Sequence, residues 1–253
     1  MRKEEQIRAC YHALLGAWGP QHWWPARTRF EVIVGAYLTQ NTAWTNVERA
    51  LRQLRSAGLL NVHAIQTVPL RTLESMIRSA GYFRQKARSL KTFVAFLNDR
   101  YGGSLTRMFA QPTKTLRQEL LSLNGIGAES ADSILLYAGQ HPIFVVDAYT
   151  RRVFGRHGIL PENAPYEVIR QLCEKALAGI SAQSAVPVTK TENQEPETVL
   201  AVHRPSLMSL AKRSDVAQVY NDMHGLIVRV GKHYCLKSKP RCEQCPLRPF
   251  LPS

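Results

Sequence analysis

The sequence predicts an all-α protein, and three observations carry that expectation. Apolar residues recur at spacings of three and four along most of the chain. Strand-like alternation is nearly absent, with "PIFVV" (142–146) the one β-looking run and too short to argue for a sheet. Gly and Pro punctuate the periodic segments where helices would end.

Taken in order, the elements read as roughly ten short helices. "GPQHWWP" (19–25) separates a first helix from the next. Phe30, Ile33, Val34, Tyr37 and Leu38 share one helical face. "SAGLL" and "SAGYF" place glycine where a left-handed cap closes a helix. Leu90, Phe93, Val94 and Leu97 mark a further amphipathic helix, and "YGGS" breaks it. "TLRQELLSLNGIGAESADSILLYA" (115–138) reads as helix, tight turn, helix. Val216, Val219, Tyr220, Met223, Ile227 and Val230 mark a late helix. Residues 181–206 contain a polar, Pro-containing stretch poor in large apolar groups, which predicts a disordered insert.

Length and charge bound the function. The 253 residues suffice for one large domain or two modest ones, and apolar residues make up 45%, enough for a core. The formal net charge of +14 favours a polyanionic partner, either nucleic acid or an anionic membrane surface. No apolar run approaches the roughly 20 residues that span a bilayer. The start "MRKEEQIRAC" lacks the apolar core of a secretory signal. The expectation is a cytoplasmic protein associated with the nucleoid, whose five cysteines are core residues or metal ligands rather than disulfides.

Two stretches carry candidate chemistry. In the hairpin, Gly125 and Gly127 free the backbone to turn, and Ile126 can plug the gap between the helices. Unpaired amides at the start of the second helix then offer an anion site suited to a DNA phosphate. The competing reading is a plain helix connection with a glycine cap. Downstream, Asp147 follows the buried-looking run and precedes a helix containing Tyr149, Val153 and Phe154. It reads either as an N-cap or as a carboxylate able to activate water or stabilise a cation developing on a sugar.

Together, "LNGIG" followed by an apolar run ending "VVDAYTRR" resembles the endonuclease III superfamily of DNA glycosylases, the helix-hairpin-helix group with a Gly/Pro-rich loop and a catalytic aspartate. The likeness extends through "YLTQNT" (37–42), "GYFRQKA" (81–87) and the cysteines near the end, and covers nearly the whole chain except the insert. "WWP", "LTQNT" and "GIGAESAD" look most like the endonuclease III-related branch that includes the type III 3-methyladenine glycosylases.

The resemblance implies two helical domains, residues 27–141 as a barrel and residues 1–26 with 142–253 as the second. It implies double-stranded, lesion-bearing DNA in a groove between them and a target nucleotide rotated out of the stack. It implies a monomer. Asp147 matches the catalytic aspartate, and Gln40 the polar residue that fills the gap left by the flipped base. Asn41 and Thr42 would shape the same loop. Trp23, Trp24 and Trp44 would line the base pocket, where aromatic faces suit an electron-poor alkylated purine. Lys86, with Arg84 and Arg88, would contact phosphate or form a solvated face, and the same holds for Arg151 and Arg152.

Glu129 stands where bifunctional members carry the lysine that forms a Schiff base. A glutamate cannot form an imine, so the expectation is a hydrolytic glycosylase without a strong lyase step. Glu129 itself would suit the dipole of a helix's first turn or support Asp147.

Cys235, Cys242 and Cys245 follow the family's iron–sulfur spacing, C-x6-C-x2-C, but Leu251 stands where the fourth cysteine belongs. Three thiolates could hold a 4Fe-4S cluster with a non-cysteine ligand, a three-iron cluster, or zinc with a histidine such as His233. They could also be a relic. Cys10 and Cys173 read as core. The leading function is removal of an alkylated purine such as 3-methyladenine. The alternatives are an endonuclease III-like glycosylase for oxidised or mismatched bases and a non-catalytic DNA-binding module.

Overall fold

The computed structural model describes residues 2–182 and 205–252, so most of the expected insert at 181–206 lies outside the described residues. Among the described residues the chain is helical, with no strand. Twelve α-helices follow in order: α1 (Lys3–Trp18), α2 (Arg29–Leu38), α3 (Trp44–Ser56), α4 (Val62–Thr67), α5 (Leu70–Met76), α6 (Phe83–Tyr101), α7 (Leu105–Phe109), α8 (Thr113–Leu121), α9 (Ala128–Ser133), α10 (Ala148–Arg156), α11 (Tyr166–Leu177) and α12 (Asp215–His233). They form two compact units, one of residues 26–141 and one of residues 1–25 with 142–253.

In the 26–141 unit, α2 is the central helix. Every residue from Phe30 to Leu38 is buried, as expected of a helix that is apolar all round. Thr28 starts it by accepting the Glu31 N–H at 3.1 Å. The buried carboxylate of Glu31 is paired with Arg55 of α3. On α6 the stripe Leu90, Phe93, Val94 and Leu97 is buried as the spacing predicts, with the Phe93 ring 6.1 Å from Tyr37 of α2. Helix α9 does not end at Ser133 but widens into a π turn, Ile134–Ala138, whose residues are all buried.

In the other unit, α12 is buried along most of its length. Two glycines let it approach its neighbours. A Cβ on Gly231 would stand 2.1 Å from the Tyr149 ring of α10, and one on Gly225 would stand 3.1 Å from the Cβ atoms of Gln21 and Trp23. The run Ile143–Val146 is buried but forms no strand. Side chains of α11 take its amides instead: Phe144 N–H donates to Glu174 Oε1 at 3.0 Å and Val146 N–H to Tyr166 Oη at 3.3 Å. Ser214 caps α12 by accepting from Ala217 N–H at 3.3 Å. Among the described residues no helix is long and apolar enough to cross a membrane.

Candidate active site

The hairpin is built by α8, α9 and the turn between them. Arg117 of α8 forks onto Asp132 of α9 with bonds of 2.6 and 3.1 Å, and Asp132 is completely buried. That bidentate pair fixes the angle between the helices. Ile126 is buried as a plug. Gly125 is required twice over. Its φ is +86°, and a Cβ there would lie 2.3 Å from Ser89 Oγ. Gly127 differs from expectation: it is an extended N-cap at φ −97° with open space around it, so its backbone makes no demand for glycine. Glu129 is exposed in the first turn of α9.

The "LTQNT" turn is tied to this hairpin. The Gln40 amide donates to Gly125 O at 2.9 Å and Ser130 Oγ at 2.8 Å. Gln40 therefore braces the hairpin in this structure rather than projecting as a gap-filling group. Asn41, exposed at φ +51°, is the residue that the turn presents outward. Thr42 bonds inward, to Gln40 O at 3.1 Å and to Ala80 O.

Lys86 is a correction. Its side chain is not at the surface: the residue is 3% exposed, and its ammonium donates to Leu38 O, Gln40 O, Thr42 Oγ1 and Ala80 O, each at 2.8 Å. Burial lowers its pKa to about 8. A saturated, buried ammonium has no bond left for a phosphate. Arg84 and Arg88 are exposed. Arg88 lines a groove of about 330 Å³ with Gln85, Ser89, Thr92 and Asn124, directly beside the hairpin turn. Sequence reasoning also passed over Tyr82. It is 70% exposed with φ +44°, immediately before α6. The signal was "GY", a left-handed glycine followed by an aromatic residue.

In the other unit, Asp147 caps α10. Its Oδ1 accepts from Thr150 N–H at 2.7 Å and from Thr150 Oγ1 at 3.0 Å. Its Oδ2 faces His224 Nε2 of α12 at 3.5 Å, and the two side chains are 13% and 5% exposed. Burial works against ionisation of this carboxyl, but the His224 imidazole and the Thr150 bonds outweigh it. Asp147 is held below the usual carboxylate pKa. His224 was missed in the sequence, where it stands within the apolar run "DMHGLIV". The Trp23 ring lies 6.0 Å from it, and Lys232 Nζ sits 5.6 Å from the Trp23 centroid.

The tryptophans are not gathered into one unit. Trp23 and Trp24 lie in edge contact at 5.7 Å, 6% and 5% exposed, while Trp44 belongs to the other unit and its indole N–H donates to Glu48 at 2.9 Å. Arg151 and Arg152 also turn inward. Arg151 donates to Ala164 O at 2.6 Å, and Arg152 donates to Cys235 O at 2.6 Å and Gly231 O at 2.9 Å.

Cys235, Cys242 and Cys245 line one cavity of about 20 Å³ together with Arg156, His157, Tyr234, Arg248 and Leu251. The fourth cluster position is therefore filled by a leucine side chain, which has no donor atom. Among the described residues no three His, Cys, Asp or Glu side chains converge as one metal ion needs, and His233 is exposed and outside the cavity lining. The donor set does not fit the family's four-thiolate cluster, nor zinc completed by His233. The loop is held by protein bonds: Arg156 donates to Cys235 Sγ at 3.3 Å, Leu236 O at 2.6 Å and Lys237 O at 3.0 Å. Cys10 and Cys173 are buried, and burial raises both thiol pKa values.

A profile described as "HhH-GPD superfamily base excision DNA repair protein" matches residues 34–178, from within α2 to just past α11. The chain belongs to that superfamily. This HhH-GPD protein is 40% identical over 251 residues to the Methanocaldococcus jannaschii "Putative DNA repair glycosylase MJ1434", covering 98% of this chain and 96% of the relative. It is 22% identical to endonuclease III of Thermotoga maritima, over 87% of this chain and 80% of the relative. Among solved structures it is similar to the H. pylori 3-methyladenine DNA glycosylase bound to 1,N6-ethenoadenine, with a TM-score of 0.68 and 28% identity, covering 92% of this chain and 98% of that one. A trapped endonuclease III–DNA covalent intermediate matches at a TM-score of 0.71 and 23% identity, over 99% of this chain and 96% of that one, and shows the shared fold.

Proposed function

We propose that this HhH-GPD protein is a monofunctional DNA glycosylase that hydrolyses the N-glycosidic bond of a damaged base in duplex DNA. An alkylated purine such as 3-methyladenine is the first substrate to test. The observation that carries the reading is Asp147: a part-buried carboxylate kept ionised by His224 and Thr150. Rupture of the glycosidic bond builds positive charge on the sugar, which such a carboxylate stabilises and toward which it can orient water. An alkylated purine leaves as a neutral base, so one carboxylate suffices. The similarity to the 3-methyladenine glycosylase structure supports the substrate class.

DNA binding in this reading falls to the hairpin. Backbone amides around Gly125 and Gly127 and the Arg88 groove grip the phosphates without reading sequence. Asn41 and Tyr82 present polar and aromatic groups toward the base stack. The exposed Glu129 cannot attack the sugar as an amine would, which makes the enzyme hydrolytic.

The test is a panel of lesion-bearing duplexes assayed for released base, with wild type and Asp147→Asn side by side. The variant is expected to bind as before and to release base at least about 100-fold more slowly. Equal release by the variant removes Asp147 from the mechanism. Borohydride should trap no covalent adduct with abasic DNA, and a strong adduct would show that an amine acts in the site.

A further inference from the structure

We propose that Lys86 is a positioning residue whose buried ammonium locks the turn bearing Asn41 and the turn bearing Tyr82 into one rigid pair of probes for a lesion in duplex DNA. This rests on the reading above, in which those turns meet the base stack.

The geometry resembles a cation site more than a pair of ordinary hydrogen bonds. An ammonium has three N–H groups, yet four oxygens stand at 2.8 Å from Nζ. Two are the carbonyls of Leu38 and Gln40, from the end of α2 and the turn after it. The third is Thr42 Oγ1, and the fourth is the Ala80 carbonyl of the turn before α6. One charge thus joins two loops some forty residues apart in sequence, and the Thr42 hydroxyl bridges them again by bonding Ala80 O. A further tie runs from Ser79 Oγ to Asn46 O at 3.0 Å.

What the clamp holds is costly to hold. Asn41 (φ +51°), Gly81 (φ +64°) and Tyr82 (φ +44°) are all left-handed. For a residue as bulky as tyrosine that backbone is disfavoured and persists only when its surroundings over-determine it. The result is an aromatic side chain 70% exposed, beside an exposed asparagine. A fold that needed Lys86 only as internal glue would have no reason to keep a strained tyrosine in solvent. An aromatic residue fixed in that way can wedge into a base step that a lesion has weakened. Burial favours the neutral amine, so the site retains its charge only because four oxygens surround it.

The experiment measures affinity for an undamaged duplex and for the same duplex with a stable abasic analogue. Lys86→Ala, which opens the oxygen-lined hole, and Lys86→Met, which fills it without charge, are compared with wild type. Wild type should prefer the abasic duplex. Both variants should lose that preference about ten-fold while binding undamaged DNA as before. Methylammonium chloride should restore it to Lys86→Ala but not to Lys86→Met, and tetramethylammonium chloride at equal ionic strength should restore neither. In a Tyr82→Ser background Lys86→Met should cost less than it does in the wild type, since only the Asn41 turn is left to position.

Retained preference in both variants overturns the clamp. So does an equal loss on both duplexes, or unfolding of both variants, since either would make Lys86 a support of the whole unit. If wild type itself shows no preference, the reading of these turns as DNA-facing fails instead.

Discussion

Lys86 in one unit and Asp147 in the other are held in opposite ways. Around the hairpin three polar groups have their bonds made: Lys86 has four oxygens, Asp132 a forked arginine, and the Gln40 amide nitrogen two acceptors. Around Asp147 there is slack. Its Oδ1 takes two bonds from Thr150, but Oδ2 has His224 only at 3.5 Å, beyond a normal hydrogen bond. A group that shapes a surface gains from having every bond made. In the proposed mechanism Asp147 meets a developing charge, and an oxygen whose best partner is still to come suits that role.

The contrast breaks most directly at Gly125. Alanine there would bring a Cβ to 2.3 Å from Ser89 Oγ on a backbone at φ +86°. The positive φ is strained for alanine and the Ser89 hydroxyl must rotate away, so Gly125→Ala should destabilise the protein by about 1–2 kcal/mol and weaken binding to any duplex. Gly127→Ala, at an extended and open position, should cost far less. Thermal melting of the two variants checks this, and equal losses would mean that the hairpin is not tightly packed around Ser89.

A second test sharpens the Asp147 side. In the proposed mechanism the carboxyl acts ionised, and its pKa is depressed, so activity should fall only as pH drops through that low value. His224→Gln keeps a donor and removes the imidazole. The acid limb of the single-turnover rate should then move upward. A rise of about one pKa unit should cost the variant up to about ten-fold relative to wild type at pH values below both pKa values, less than about two-fold near pH 5, and almost nothing near pH 8. A loss that is uniform with pH would make His224 a packing residue.

Much of this was legible in the sequence. The α6 and α12 stripes, the hairpin and the Asp147 cap follow from spacing and from the short polar residue at a helix start. Lys86 was legible too, but misread. Its charge placed it with Arg84 and Arg88, whereas its spacing to Leu90, Phe93 and Leu97 puts it on the buried stripe. Periodicity outranked charge there because four oxygens from distant turns could satisfy the ammonium, and no local pattern announces them. His224 was hidden for the same reason: its partner lies 77 residues away. The run Ile143–Val146 looks like a strand because it is apolar and extended, but its amides are met by Glu174 and Tyr166, which only the tertiary structure brings near. The π turn after Ser133 has no sequence signature at all.

The last effect has the opposite sign, and it probes the contrast at a further buried charge. Asp222 of α12 is 5% exposed and receives Gln218 Nε2 at 2.9 Å. Burial outweighs that bond and the attraction of Arg213, and raises its pKa to about 6. Between the ordinary carboxylate value and pH 6 the folded protein binds more protons than the unfolded chain, so stability contributed by this group falls as pH rises through that window. At neutral pH the ionised carboxylate is a net cost. Asp222→Asn removes the charge while keeping the size and an acceptor for Gln218. It should raise stability by about 1–3 kcal/mol at pH 7.5 and by almost nothing at pH 4, where the native side chain is already protonated. Melting curves at the two pH values decide it. A variant that is less stable at pH 7.5 would show that Arg213 and Gln218 compensate the charge fully, and that Asp222 belongs with the saturated groups of the hairpin rather than with Asp147.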